Sequence, residues 1–180
     1  MEESKNTDIE FIKALRTNLN KGHPAVHTLK RAFGTGCTDD LHNYISFLSL
    51  IREADLQDIK FNRDLYFLIA CLFCANERPE GETDASKKSY VRTEQLFGRF
   101  YNDPDTSDTS RMLIQRFLET PYDKNGTFET EFTKLMKRAL SKKCSNEVLD
   151  YINLIRDFKF WNNRENKVQR KWAETIICAN

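Results

Sequence analysis

The chain has 180 residues, a net charge of +1 and five cysteines. Nearly a third of it is charged, and no apolar run approaches the roughly 20 residues that span a bilayer. An acidic, polar start ("MEESKNTDIE") is not a secretory leader. These features exclude a membrane span, make reduced thiols a better reading than a disulfide framework, and predict a cytoplasmic protein.

The elements read as helices throughout, and no stretch alternates like a strand. Ile9, Ile12, Leu15 and Leu19 mark the first. Pro24 opens a second, through "PAVHTLKRAFG", and suits a first turn because its missing N–H costs nothing there. Thr38, Asp39 and Asp40 predict a capped start for "DDLHNYISFLSLIRE", with carboxylates at the positive end of the dipole. "RDLYFLIACLFCAN" is apolar on nearly every side and is expected as the buried helix of the first half. "ERPEGETDASKK" lacks large apolar groups and reads as a linker.

Helical patterns resume at "VRTEQLFGRFY" and, after the polar break "NDPDTSDTS", at "RMLIQRFL". "FETEFTKLMKRALSKK" follows the loop "TPYDKNG". Ser145 is positioned to cap "NEVLDYINLIRDFKFW", and a last helix runs from about residue 164 to 177. The expectation is an all-α protein of eight or nine helices in two small bundles. They span residues 1–76 and 91–180, with a polar linker or loop over 77–90.

Few residues invite chemistry. Cys71 and Cys74 have the spacing of half a zinc site, but no second pair completes four ligands. Two cysteines three residues apart in an apolar helix are ordinary core. His23 and His27 stand one turn apart without an accompanying acid, and with His23 at the helix start beside Pro24 they read as surface or capping histidines. Asp39–Asp40 and Asp103–Asp105 lie at caps or turns. No glycine-rich phosphate loop occurs, and no nucleophile has a visible base. The expectation is no catalytic residue, no metal and no cofactor.

Charge is the remaining signal. Residues 131–180 hold 11 Lys/Arg against 6 Asp/Glu, a balance of +5, while residues 1–130 hold 17 against 21, a balance of −4. Lys134, Lys137, Arg138 and Lys142 share one face, leaving Phe132, Leu135, Met136 and Leu140 for a core. Arg164, Lys167 and Lys171 line a second face with Arg170 beside them. Lys30, Arg31, Arg111 and Arg116 add further positive positions. Cations on successive helical turns can track a phosphodiester backbone, giving affinity with little sequence information. Trp161 and Trp172 fall in register with apolar neighbours and are expected as core anchors, with the cations facing outward.

Five blocks occur in an order that resembles the CasB family, the small subunit of the type I-E CRISPR complex Cascade. They are "LKRAFG" (29–34), "LYFLIACLFCAN" (65–76), "LFGRF" (96–100), "RMLIQRFL" (111–118) and "LDYINLIRDFKFW…VQRKWA" (149–173). The resemblance implies two helical bundles without catalytic activity. Its partners would be the backbone and large Cascade subunits, a second copy of itself, CRISPR RNA, and the target and displaced DNA strands of the R-loop. Base pairing would read sequence while the protein holds backbones. Position by position it points to Lys30 and Arg31, to Gly98 with Arg99, to Arg111, to Lys137 and Arg138, and to Arg164. Lys stands where members often carry Arg, a point charge without bidentate geometry. Arg156 beside Asp157 reads equally as an internal ion pair. The competing reading is a helical protein–protein scaffold that touches no nucleic acid.

Overall fold

The computed structural model describes residues 2–33, 40–52, 62–79, 88–123 and 126–178. The chain divides into two compact units, Met1–Lys87 and Lys88–Asn180. Cys37, Thr38, Asp39 and Asn125 lie outside the described residues, as does the middle of the expected linker, 80–87.

The first unit holds α1 (Glu2–Asn20), α2 (Pro24–Ala32), α3 (Leu41–Ile51) and α4 (Arg63–Asn76). Pro24 occupies the first turn of α2, and His23 caps it, its Nδ1 accepting from the Ala25 amide at 3.2 Å. Asp40 caps α3, accepting from the amides of His42 and Asn43 at 2.9 and 3.3 Å. Every residue of α4 from Leu65 to Cys74 is buried, as its all-round apolar sequence demands. Against it lie Phe11, Leu15 and Leu19 of α1, which follow a four-residue step, and Phe47 and Leu50 of α3. Ile9 is exposed, so the buried stripe of α1 runs through Phe11 and not through Ile9. Edge-on ring pairs join Phe11 to Tyr66 (4.9 Å) and Phe47 to Phe67 (5.6 Å). The end of α4 is tied to α1 by Arg16 and Glu77 at 2.8 Å.

The second unit contains β1 (Ser89–Val91), α5 (Thr93–Asn102), α6 (Asp108–Glu119), α7 (Thr127–Ala139), a 3-10 turn (Leu140–Lys142), β2 (Glu147–Leu149), α8 (Tyr151–Lys159) and α9 (Lys167–Ile177). Among the described residues the fold is all-α apart from one two-stranded parallel ladder, β1 on β2, in the register Ser89↔Glu147, Tyr90↔Val148 and Val91↔Leu149. The expectation of no strand is corrected here, and Ser89 and Tyr90, at the far end of the 77–90 stretch, pair within the ladder. Residues 147–149 are also not helical: α8 starts at Tyr151, capped by Asp150, whose Oδ1 accepts from the Asn153 amide at 3.0 Å. Asp150 thus replaces the expected cap, Ser145. Gly126 opens α7 at φ 75°, a left-handed backbone that a side chain would strain.

The core of this unit is aromatic. Phe97, Phe117, Phe128, Phe132, Phe158, Trp161 and Trp172 are all buried, and the two indoles meet edge-on at 5.2 Å. Each indole N–H has an acceptor: Trp161 Nε1 donates to the Thr120 carbonyl (2.9 Å) and Trp172 Nε1 to Asp157 Oδ2 (2.8 Å). Burying an indole leaves its N–H in need of such a partner. Both tryptophans are core anchors.

Candidate nucleic-acid interface

Helix α7 shows how sequence phase makes a cationic face. Phe128, Phe132, Leu135, Met136 and Ala139 are buried, and the residues between them, Lys134, Lys137 and Arg138, are exposed. Lys137 and Arg138 occupy the last turn, where the helix dipole favours positive charge. Lys142 follows in the 3-10 turn and leaves this face to pair with Asp103. That pairing, with a further bond from the Asp105 amide, holds the Asp103 carboxyl below the usual carboxylate range.

The end of α7 and the start of α6 border an open groove of about 390 Å³. Lys137, Arg138 and Ser141 line one part of it, and Thr106, Ser107 and Ser110 another. Arg138 Nη1 donates to Ser110 Oγ at 3.1 Å, and Ser110 Oγ lies 3.1 Å from Ser107 Oγ. The hydroxyls escaped sequence reading because "NDPDTSDTS" reads only as a polar break. A Ser five residues ahead of the apolar run that begins at Met112 was the available signal, since Ser107 caps α6.

The other expected cations are divided. Arg99 makes a two-pronged ion pair with Glu147 at 2.7 Å to each oxygen, tying α5 to β2. Glu147 also accepts from the Cys144 amide; the Arg99 bond leads in pulling its carboxyl down to about 2. Arg111 braces the turn before α6 through the carbonyls of Tyr101 and Asp103 and reaches Asp108. Arg116 meets Glu131 at 2.6 Å, joining α6 to α7. Lys167 pairs with exposed Glu165. Lys171 is the largest departure: its Nζ stands 3.4 Å from both Asp157 and Glu94, two buried carboxylates, so it points away from the outward face assigned to it. Asp157 therefore pairs with Lys171, and Arg156 bonds Asn153 instead. Lys134, Arg138, Arg164 and Arg170 are exposed and form no ion pair among the described residues of this unit. Lys30 and Arg31 are exposed in the last turn of α2, in the first unit.

Of the thiol and imidazole candidates, Cys71 and Cys74 lie in the core, His23 caps α2 and His27 is exposed. Cys71 and Cys74 are buried, and burial pushes the Cys74 thiol up to about 12, which keeps it protonated and unreactive. Among the described residues, no group of three or more His, Cys, Asp or Glu side chains could hold a metal ion, and no helix is long and apolar enough to cross a membrane. Comparison with known protein families, with curated proteins and with solved structures found no match.

Proposed function

We propose that the chain is a non-catalytic, cytoplasmic small subunit of a type I-E CRISPR Cascade complex, holding nucleic-acid backbone and stabilising guide RNA and target DNA in the R-loop. The observation that carries the reading is the set of exposed cations on the second unit that form no ion pair among the described residues: Lys134, Arg138, Arg164 and Arg170. The indoles are buried and do not offer a stacking surface, so the reading rests on charge. Contact is accordingly electrostatic and blind to sequence. Its partners are the backbone and large subunits, CRISPR RNA, the DNA strands and a second copy.

A specific observation favours a second reading, the protein–protein scaffold. Arg99, Arg111, Arg116, Lys167 and Lys171 spend their charge on carboxylates of this chain. Meanwhile Leu41, Ile45 and Leu48 of α3, at four- and three-residue spacing, are exposed. The salt dependence of binding to a duplex of mixed sequence separates the two. Each paired phosphate contributes about −0.9 to the slope of log K against log salt, so four cations predict a slope near −4. Lys137→Glu with Arg138→Glu should weaken binding at every sequence alike while the fold stays intact. A negligible slope would favour the scaffold.

A further inference from the structure

We infer that the groove between the start of α6 and the end of α7 is a seat for a single backbone phosphodiester, gripped by Arg138 with the one hydroxyl proton that the Ser107–Ser110 pair leaves free. This seat presupposes the nucleic-acid reading above and names what that surface holds at one place. Arg92, Arg99, Arg111, Arg116, Lys142, Lys167 and Lys171 are paired with carboxylates, whereas Arg138 is anchored by a neutral hydroxyl, Ser110 Oγ at 3.1 Å. A guanidinium carries five N–H donors in a fixed fork, and this bond uses one of them. The contact fixes the direction of the fork without neutralising its charge, which is what a planar, two-pronged grip on a phosphate needs.

The surroundings fit an anion of that size. The groove offers about 390 Å³, within the range of small-molecule clefts. Its charged lining is Lys137, Arg138 and Lys142 against Asp103 and Asp105, a balance of +1. Lys142 neutralises Asp103, which leaves Lys137 and Arg138 against Asp105 among the lining residues. The Ser110 and Arg111 amides are already bonded to the Ser107 carbonyl at 2.9 and 3.1 Å. The seat is therefore made of side chains and not of the helix end.

Two variants that conserve charge separate a built seat from a diffuse positive field. Arg138→Lys keeps the charge and loses the fork, and Ser110→Ala removes the hydroxyl that aims it. The assay is anisotropy of a labelled mixed-sequence DNA strand with the full-length chain at low salt, beside the double reversal Lys137→Glu/Arg138→Glu and thermal melts of each protein. Each conservative variant should bind roughly 3- to 10-fold more weakly, the yield of one lost hydrogen bond, with melting unchanged. If both bind like wild type while the double reversal weakens binding, the seat is wrong and the nucleic-acid reading stands. If the double reversal also binds like wild type, or the wild-type chain shows no binding at low salt, both fall.

Discussion

Replacing Lys171 tests whether a cation in a basic helix belongs to the surface or to the core. Its Nζ lies 3.4 Å from Asp157 Oδ2 and 3.4 Å from Glu94 Oε1, and the two acids are only 8% and 3% exposed. Removing the ammonium leaves Asp157, which also accepts the Trp172 indole N–H, without its cation and leaves Glu94 only the more distant Arg92 at 3.9 Å. Deleting one partner of a buried pair costs about 3–5 kcal/mol. Lys171 itself is 40% exposed, so solvent screens part of that loss, and about 1–3 kcal/mol is expected for Lys171→Met. In a unit of this size that lowers the melting temperature by roughly 5–20 °C. Lys171→Glu, which adds a third negative charge, should cost more. Trp161 and Trp172 are the only tryptophans and both lie in the second unit, so their fluorescence reports its unfolding alone. Lys167→Glu is the control, because Lys167 and its partner Glu165 are both exposed, and it should cost less than about 0.5 kcal/mol. If Lys171→Met melts like wild type, the buried ion network does not support this unit.

Acid should loosen the tie between α5 and β2. Glu147 is depressed from 4.5 to about 2, so its contribution is complete above 4.5 and is lost as pH falls toward 2; Glu147→Gln should flatten that part of a stability–pH profile, and an unchanged profile would refute it. Native alkylation followed by mass spectrometry should modify the exposed Cys144 and Cys178 and spare the buried Cys71 and Cys74 until denaturant is added; early labelling of Cys74 would contradict its burial. Trp172→Ala should act through stability, costing roughly 3–5 kcal/mol; a wild-type melt with lost DNA binding would make the indole a contact residue.

What the sequence made legible was whatever a helix writes locally. The burial of α4 follows from its composition, Pro24 and Asp40 mark helix starts, and the phase of α7 separates Leu135 and Met136 from Lys134 and Arg138. The β1–β2 ladder was invisible because three residues carry no alternation, and each strand's partner lies beyond three helices. The same blindness misplaced the start of α8, whose cap, Asp150, follows directly on a strand. In α1, Ile9 and Phe11 both fit an apolar stripe, and only the neighbouring helices decide which is buried. For Lys171 the phase of α9 was readable but its partners were not, since Glu94 comes from α5 and Asp157 from α8.

Charge counting therefore overstates the positive surface of the second unit. The +5 balance of residues 131–180 omits Glu94, which comes from outside that span and takes up part of Lys171. Exposure of the remaining cations is also ambiguous in itself. Lys137 and Arg138 end α7, and Lys30 and Arg31 end α2, where the helix dipole stabilises a cation by a few tenths to about 1 kcal/mol whether or not anything binds. A cation placed only for its helix needs no aim. Arg138 is aimed: its guanidinium reaches across to another helix and settles on a hydroxyl, although that bond leaves its charge uncompensated. Stability gains little from such a contact at an exposed site, so the feature is better accounted for by an anion that arrives from outside the chain.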